Sequence, residues 1–165
     1  SCPNVKTGEG NLYSDVEMVG KIARRLREAV ASCPITMKMG YISSDSELRQ
    51  IMRAANGYIN GLVLMNGVNS LVLNRDGTPV FGKGRETCGI IGRGLQPIAL
   101  SYVKRARKII KDDNLDLKVI GNGGIVSADC AEKYLNEGAY AVSIASGAIF
   151  CPHLAIEMKT EHPNW

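Results

Sequence analysis

From Asp15 onward, apolar residues recur every three or four positions, at Val16, Val19, Ile22, Ala23, Leu26 and Val30. That spacing gathers them on one face of an amphipathic helix. A short apolar run over 34–39 then predicts a buried strand. Ser44 or Asp45 caps a second helix over 47–55, and Asn56-Gly57 stops it. The next strand is expected over 58–66. A long connection, 67–96, holds a small hairpin in which 70–73 and 79–81 flank the turn Asn74-Arg75-Asp76-Gly77. Connections of this length inside a compact domain usually carry function. Pro97 opens a helix running to about Lys111, 117–121 is a strand, and Ser127 caps a helix that Gly138 ends. The last strand is predicted over 140–145, with a further helix from about Gly147.

Strands alternating with amphipathic helices are the pattern of βα units around a parallel sheet. Four such strands make about half of a (β/α)8 TIM barrel, which typically takes about 250 residues; this chain has 165. The expected fold class is therefore α/β, with residues 1–165 as the C-terminal half of one barrel domain carrying a small hairpin insertion near 70–81. A doubly wound open sheet alternates in the same way, so periodicity leaves that choice to the motifs at the strand ends.

Composition narrows the setting. Hydrophobic residues make up 45% of the chain, enough for a real core, and the net charge is a mild +4. The basic stretches 21–27 and 104–108 are interleaved with apolar residues at helical spacing, as on solvated helix faces. No basic–aromatic platform accompanies them, so no nucleic-acid partner is expected. The five cysteines, at 2, 33, 88, 130 and 151, form no Cys-x-x-Cys pair. A disulfide framework and a metal site are therefore not expected, and a reducing, cytoplasmic location fits. No apolar run reaches the roughly 18 residues that a membrane span needs. The chain opens on Ser1-Cys2-Pro3-Asn4 without an initiator Met, from which a preceding half is expected to have been removed or to lie elsewhere.

Several strand ends carry residues suited to chemistry. Cys2 sits in a polar loop ahead of a helix, either as a base or nucleophile or as a small residue in a turn made by Pro3. Lys38 lies near the end of an apolar strand, where a fixed cation stabilises developing negative charge; a lysine snorkelling from the strand end is the alternative. In Asn66-Gly67-Val68-Asn69-Ser70, amides and a hydroxyl suit recognition of a planar ring bearing carbonyl and N–H groups, although Asn, Gly and Ser also favour turns. The strongest signal is Gly121-Asn122-Gly123-Gly124-Ile125 followed, one strand later, by Ala145-Ser146-Gly147. Glycines permit close backbone approach, and barrels often bind phosphate on the last two βα loops. Valine at Gly124 is accordingly expected to displace a phosphate and leave the fold intact. A pair of tight βα turns would give the same pattern.

Taken together, these motifs resemble the dihydroorotate dehydrogenase family in its class 1, cysteine-base form. Ser1-Cys2-Pro3-Asn4-Val5-Lys6 is similar to that family's Ser-Cys-Pro-Asn loop, and the strand ending near Lys38 to its flavin-lysine strand. Asn69-Ser70 is similar to its Asn-Ser/Thr pair, Thr87 through Pro97 to its Gly-Gly-x-Ser-Gly…Pro segment, and Gly121 through Ile125 to its Gly-x-Gly-Gly-Ile phosphate loop. The resemblance implies FMN as cofactor and oxidation of dihydroorotate to orotate in pyrimidine biosynthesis. It makes Cys2 the base that removes the C5 proton, with Asn4, Asn69 and Ser70 on the pyrimidine. Lys38 would lie by the flavin's pyrimidine edge, and Gly92, Gly123, Gly124 and Ser146 would hold the ribityl phosphate. A four-strand array leaves two sheet edges uncovered, so an N-terminal half-barrel or a second copy of the chain is expected as partner. Alternatives are another FMN oxidoreductase of this fold acting on a dihydropyrimidine, or a non-catalytic half-barrel. Four places depart from the family pattern: Cys88 replaces a glycine, Ile91 a serine, Gly40-Tyr41 a common proline, and Ala145-Ser146-Gly147 the usual Gly-Thr-Ala.

Overall fold

A computed structural model describes residues 12–165. Cys2 and Asn4 lie outside the described residues. The elements run, in order, α1 (Val16–Ala29), β1 (Thr36–Met39), α2 (Asp45–Ala55), β2 (Gly61–Leu64), β3 (Val68–Leu71), β4 (Thr87–Ile90), α3 (Gln96–Asp112), β5 (Lys118–Asn122), α4 (Ala128–Asn136), β6 (Ala141–Ser143), α5 (Ser146–Phe150) and α6 (Leu154–Glu161).

Local chemistry sets the helix starts. Asp15 accepts a hydrogen bond from the Met18 N–H (3.0 Å), Ser44 from Glu47 (3.2 Å) and Ser127 from Cys130 (3.3 Å). Each cap satisfies an amide in the first turn that no helical carbonyl can reach. Ser44 rather than Asp45 is thus the second cap, and Pro97 falls in the opening turn of α3, where its missing N–H costs nothing.

β1, β2, β5 and β6 form one parallel sheet in the order β1-β2-β5-β6. Met39, Leu64 and Gly121 share one register row, and Lys38, Val63, Ile120 and Ala141 the next. Alternation sends these rows to opposite faces. On one face Met39, Leu62, Leu64 and Val119 are all 0% exposed beneath the helices. On the other, Lys38 and Lys118 are exposed and Val63 and Ile120 only half-buried. A doubly wound sheet is covered by helices on both faces; an arc of a barrel has helices outside and its strand interior turned to the lumen. One-sided cover assigns this sheet to the barrel class.

The connection after β2 contains the expected hairpin and extends it. The turn at 74–77 exists, closed by Gly77 N–H to the Asn74 carbonyl and by the Leu73–Pro79 bridge. The longer ladder beneath it joins β3 antiparallel to β4, with Asn69 opposite Gly89 and Ser70 opposite Cys88. The strand expected over 58–66 is shorter, because the residues before it form a turn held by Arg27, which donates to the Tyr58 carbonyl and to Asn60 Oδ1. The terminal helix divides into α5 and α6 at Cys151-Pro152, since proline has no N–H to continue the helix.

Gly40-Tyr41, in place of a proline, has a packing role. A Cβ on Gly40 would collide with the Tyr13 ring, while the Tyr102 hydroxyl donates to the Gly40 carbonyl at 3.2 Å. Tyr41 meets Tyr102 edge-on, and the Arg105 guanidinium lies over both rings. Among the described residues no helix is long and apolar enough to cross a membrane.

Candidate functional site

At the C-terminal ends of β5 and β6, four segments close around one small hollow, the first of them reaching it through Asn66 just after β2. Gly92 comes from the turn before α3, Asn122 through Ile125 from the β5–α4 loop, and Ser143, Ala145 and Ser146 from the end of β6 and the start of α5. Gly92, Gly123, Gly124 and Ser146, named from sequence as a phosphate site, therefore line a single cavity.

The backbone is bent toward that purpose. Gly92, Gly123 and Gly124 have φ of 95°, 132° and 69°, conformations that other residues rarely adopt. A Cβ on Gly92 would meet nothing within 4 Å, so its backbone faces open space. The Tyr134 hydroxyl donates to the Gly123 carbonyl at 2.5 Å. Burial raises the Tyr134 pKa above its ordinary value, which keeps the donor protonated. Within one trans peptide the N–H points opposite the carbonyl. The Gly124 N–H is thus turned away from Tyr134, and it has no partner among the described residues.

Gly124 also serves the fold, which corrects the expectation that valine there leaves the fold largely intact. A Cβ would stand 3.0 Å from the Arg93 carbonyl oxygen and from the Gln96 nitrogen. The loop rests directly on the first turn of α3, and any side chain at 124 pushes that helix away. The start of α4 is not an open anion site either, because Ser127 already takes the Cys130 N–H.

No side chain lining the hollow is cationic. The cradle offers N–H groups, hydroxyls and amides, a donor set that fits the phosphate and polyol end of a flavin mononucleotide. Lys38 stands apart on β1, on the open face of the sheet, and makes a contact within the chain. Asn69 and Ser70 are exposed on β3, outside the hollow, and their consecutive positions send the side chains to opposite faces of the ribbon. Ile91, where the family pattern has serine, lines the cavity with an apolar side chain.

Asn66, Asn122 and Ser143 also line the cavity and were not singled out as site residues from the sequence. A usable signal existed for Asn122. Counting by twos from Lys118 puts it on the same face as Ile120, hence on the Lys38 side of the sheet.

A wider, more open hollow lies at the other end of the sheet between Arg27, Cys33, Asn60 and Asp116. There Arg27 spends its guanidinium on the carbonyls of Tyr58, Ala31 and Cys33 and on Asn60 Oδ1. These bonds hold together the N-terminal ends of β1 and β2. In a barrel that end reads as stability, and the C-terminal end as chemistry.

The family model described as dihydroorotate dehydrogenase matches residues 1–160. A dihydroorotate dehydrogenase of Dictyostelium discoideum is 31% identical over 99% of this chain and 45% of its own length. The catalytic subunit of dihydroorotate dehydrogenase B (NAD(+)) from Bacillus pumilus is 26% identical over 99% of this chain and 50% of its own. The crystal structure of a ligand-free DHODH from Eimeria tenella superposes with a TM-score of 0.74 at 21% identity, covering 98% of this chain and 48% of that one. The chain thus spans about half the length of the relatives it matches.

Proposed function

Because the chain belongs to the dihydroorotate dehydrogenase family, we propose that it forms the C-terminal strands of a closed barrel that binds FMN and oxidises dihydroorotate to orotate. The observation that carries this reading is the convergence of Gly92, Gly123, Gly124 and Ser146 on one neutral cradle, beside a sheet face left open to a lumen. When bound, FMN supplies the two-electron acceptor for the hydride that leaves substrate C6.

The chain's own residues do the rest. Cys2 takes the C5 proton, so that the C5–C6 double bond forms as proton and hydride depart. A thiol with an ordinary pKa near 8.5 is mostly protonated at neutral pH, so turnover rises with pH as the thiolate forms. Asn4 and Asn69 hydrogen-bond the pyrimidine; Ser70, on the opposite face of the β3–β4 ribbon, reaches it only if the ribbon turns its other face to the ring. Lys38 places a cation on the lumen face, where negative charge gathers when the acceptor is reduced. The Gly124 N–H and the Ser146 hydroxyl hold phosphate without a cationic side chain.

The exposed sheet face supports this reading, in which the other half of the barrel is the partner that covers it. An absorbance spectrum of the protein in its native assembly tests the cofactor: flavin bands are expected, and their absence counts against FMN. Turnover of dihydroorotate by the same assembly tests the substrate. Cys2→Ala should abolish that turnover while leaving the bound flavin in place, and near wild-type turnover would remove Cys2 from the base role.

A further inference from the structure

The floor of the cavity holds a side-chain amide that no other described residue uses. Asn122, the last residue of β5, is 4% exposed and is the one buried polar residue among the described residues. Its side chain has no hydrogen-bond partner among them. No fully enclosed side-chain nitrogen or oxygen there lacks a partner. The Asn122 amide is therefore not sealed in, and the space that it reaches is the hollow it lines. Buried amides are ordinarily hydrogen-bonded, since leaving one unmade forfeits its hydration without return. An amide kept beside a cavity in this state is kept for a ligand.

The chemistry of the amide restricts that ligand. It presents one acceptor and two N–H donors. A phosphate at neutral pH accepts hydrogen bonds and donates few or none, and the Asn122 carbonyl oxygen repels it. A hydroxyl both donates and accepts, and so uses the amide fully. Position points the same way. Asn122 is paired in register with Ser143, whose side chain adds a further hydroxyl at the cavity wall. Gly123, Gly124 and Ser146 lie just beyond, toward the helix starts. The row of Lys38 lies in the other direction, with β1 two strands away, about 10 Å across the sheet.

We infer that Asn122 hydrogen-bonds a hydroxyl of the ribityl chain, between the phosphate cradle and the ring-binding face. The assignment rests on the flavin reading above and adds to it a residue that distinguishes a polyol linker from a plain one.

Flavin titration of the native assembly tests it with two ligands. One is FMN. The other is an analogue that keeps the ring and the phosphate on a five-carbon chain but carries hydrogens in place of the ribityl hydroxyls. Wild-type protein should bind FMN more tightly than the analogue. Asn122→Val should weaken FMN about tenfold and leave the analogue unchanged, and Asn122→Ser should recover part of the loss. Equal weakening of both ligands by Asn122→Val, or none of FMN, overturns the assignment. So does wild-type protein that binds the two equally, a comparison that needs no variant to fold. Wild-type protein that takes up neither ligand removes the flavin reading itself.

Discussion

The Tyr134 hydroxyl and the Gly123 carbonyl are joined by a 2.5 Å hydrogen bond that fixes the β5–α4 loop to the helix layer. The bond spans eleven residues and decides which way a peptide plane faces. It turns the carbonyl toward the helices and the Gly124 N–H away from them. Tyr134→Phe keeps the ring, which is fully buried, and leaves that carbonyl without its donor. Urea denaturation should show a loss of about 1 kcal/mol, and flavin affinity in the native assembly should fall several-fold. An unchanged affinity would mean that the loop holds its orientation unaided.

Alkaline pH should destabilise the fold. Burial raises the pKa of both Tyr102 and Tyr134 above 10.0, their ordinary value. As pH passes about 10, tyrosines of the unfolded chain ionise first, so the unfolded state then holds fewer protons than the folded one. Stability contributed by these hydroxyls is complete below that pH and is lost as pH rises toward the folded-state values. In denaturation curves taken across this range, the double variant Tyr102→Phe, Tyr134→Phe should show a shallower alkaline decline than wild type. Parallel declines would assign the loss to other groups.

Two glycines with similar backbones separate strain from collision. Gly77 has φ of 83° and Gly124 of 69°, yet a Cβ at 77 meets nothing within 4 Å while one at 124 meets Gln96 and Arg93 at 3.0 Å. Gly77→Ala should cost about 1 kcal/mol from the left-handed conformation alone. Gly124→Ala should cost at least about 1 kcal/mol more, because the start of α3 must shift. Thermal melts of the two variants compare these effects directly, and equal losses would show that α3 yields without strain.

Asp113 clamps α2 to the end of α3. Its carboxylate is 6% exposed and accepts from Arg49 at 3.0 Å and from Arg53 at 2.8 Å. Hydrogen bonds to charged groups are the strong ones, and both vanish in Asp113→Ala, for an expected loss of about 2 kcal/mol. The chain packing beneath is untouched, so circular dichroism at low temperature should stay native while the melting temperature drops. A variant as stable as wild type would show the clamp to be ornamental.

The isolated 165-residue chain should not sediment as a monomer at micromolar concentration. Among the described residues β1 and β6 are the edges of the sheet, and Ile149 and Phe150 beside β6 are 76% and 88% exposed. Unpaired edges and apolar surface invite association, which closure into a barrel prevents. A well-folded monomer would contradict this argument, and tight FMN binding by that monomer would show the remaining strands to be dispensable.

What the sequence determined by itself is local. The three- and four-residue recurrence from Val16, the hydroxyls and carboxylate at Asp15, Ser44 and Ser127, and the glycine-rich run after 117–121 each act through neighbours a few residues away, so they are legible one segment at a time. The motif order also carried the family and the barrel class. Tertiary structure decided everything that depends on a distant partner. It continued the hairpin around 74–77 into the β3–β4 ladder, because the partner strand at 87–90 lies too far along the chain to be read from the turn alone. It made Gly124 a contact point for α3, since only folding brings Gln96 against that loop. It also left Asn122 without a side-chain partner among the described residues at the floor of a cavity, which a lone asparagine in a strand cannot announce. A side chain's neighbours along the chain set its conformation, and its neighbours across the fold set its use.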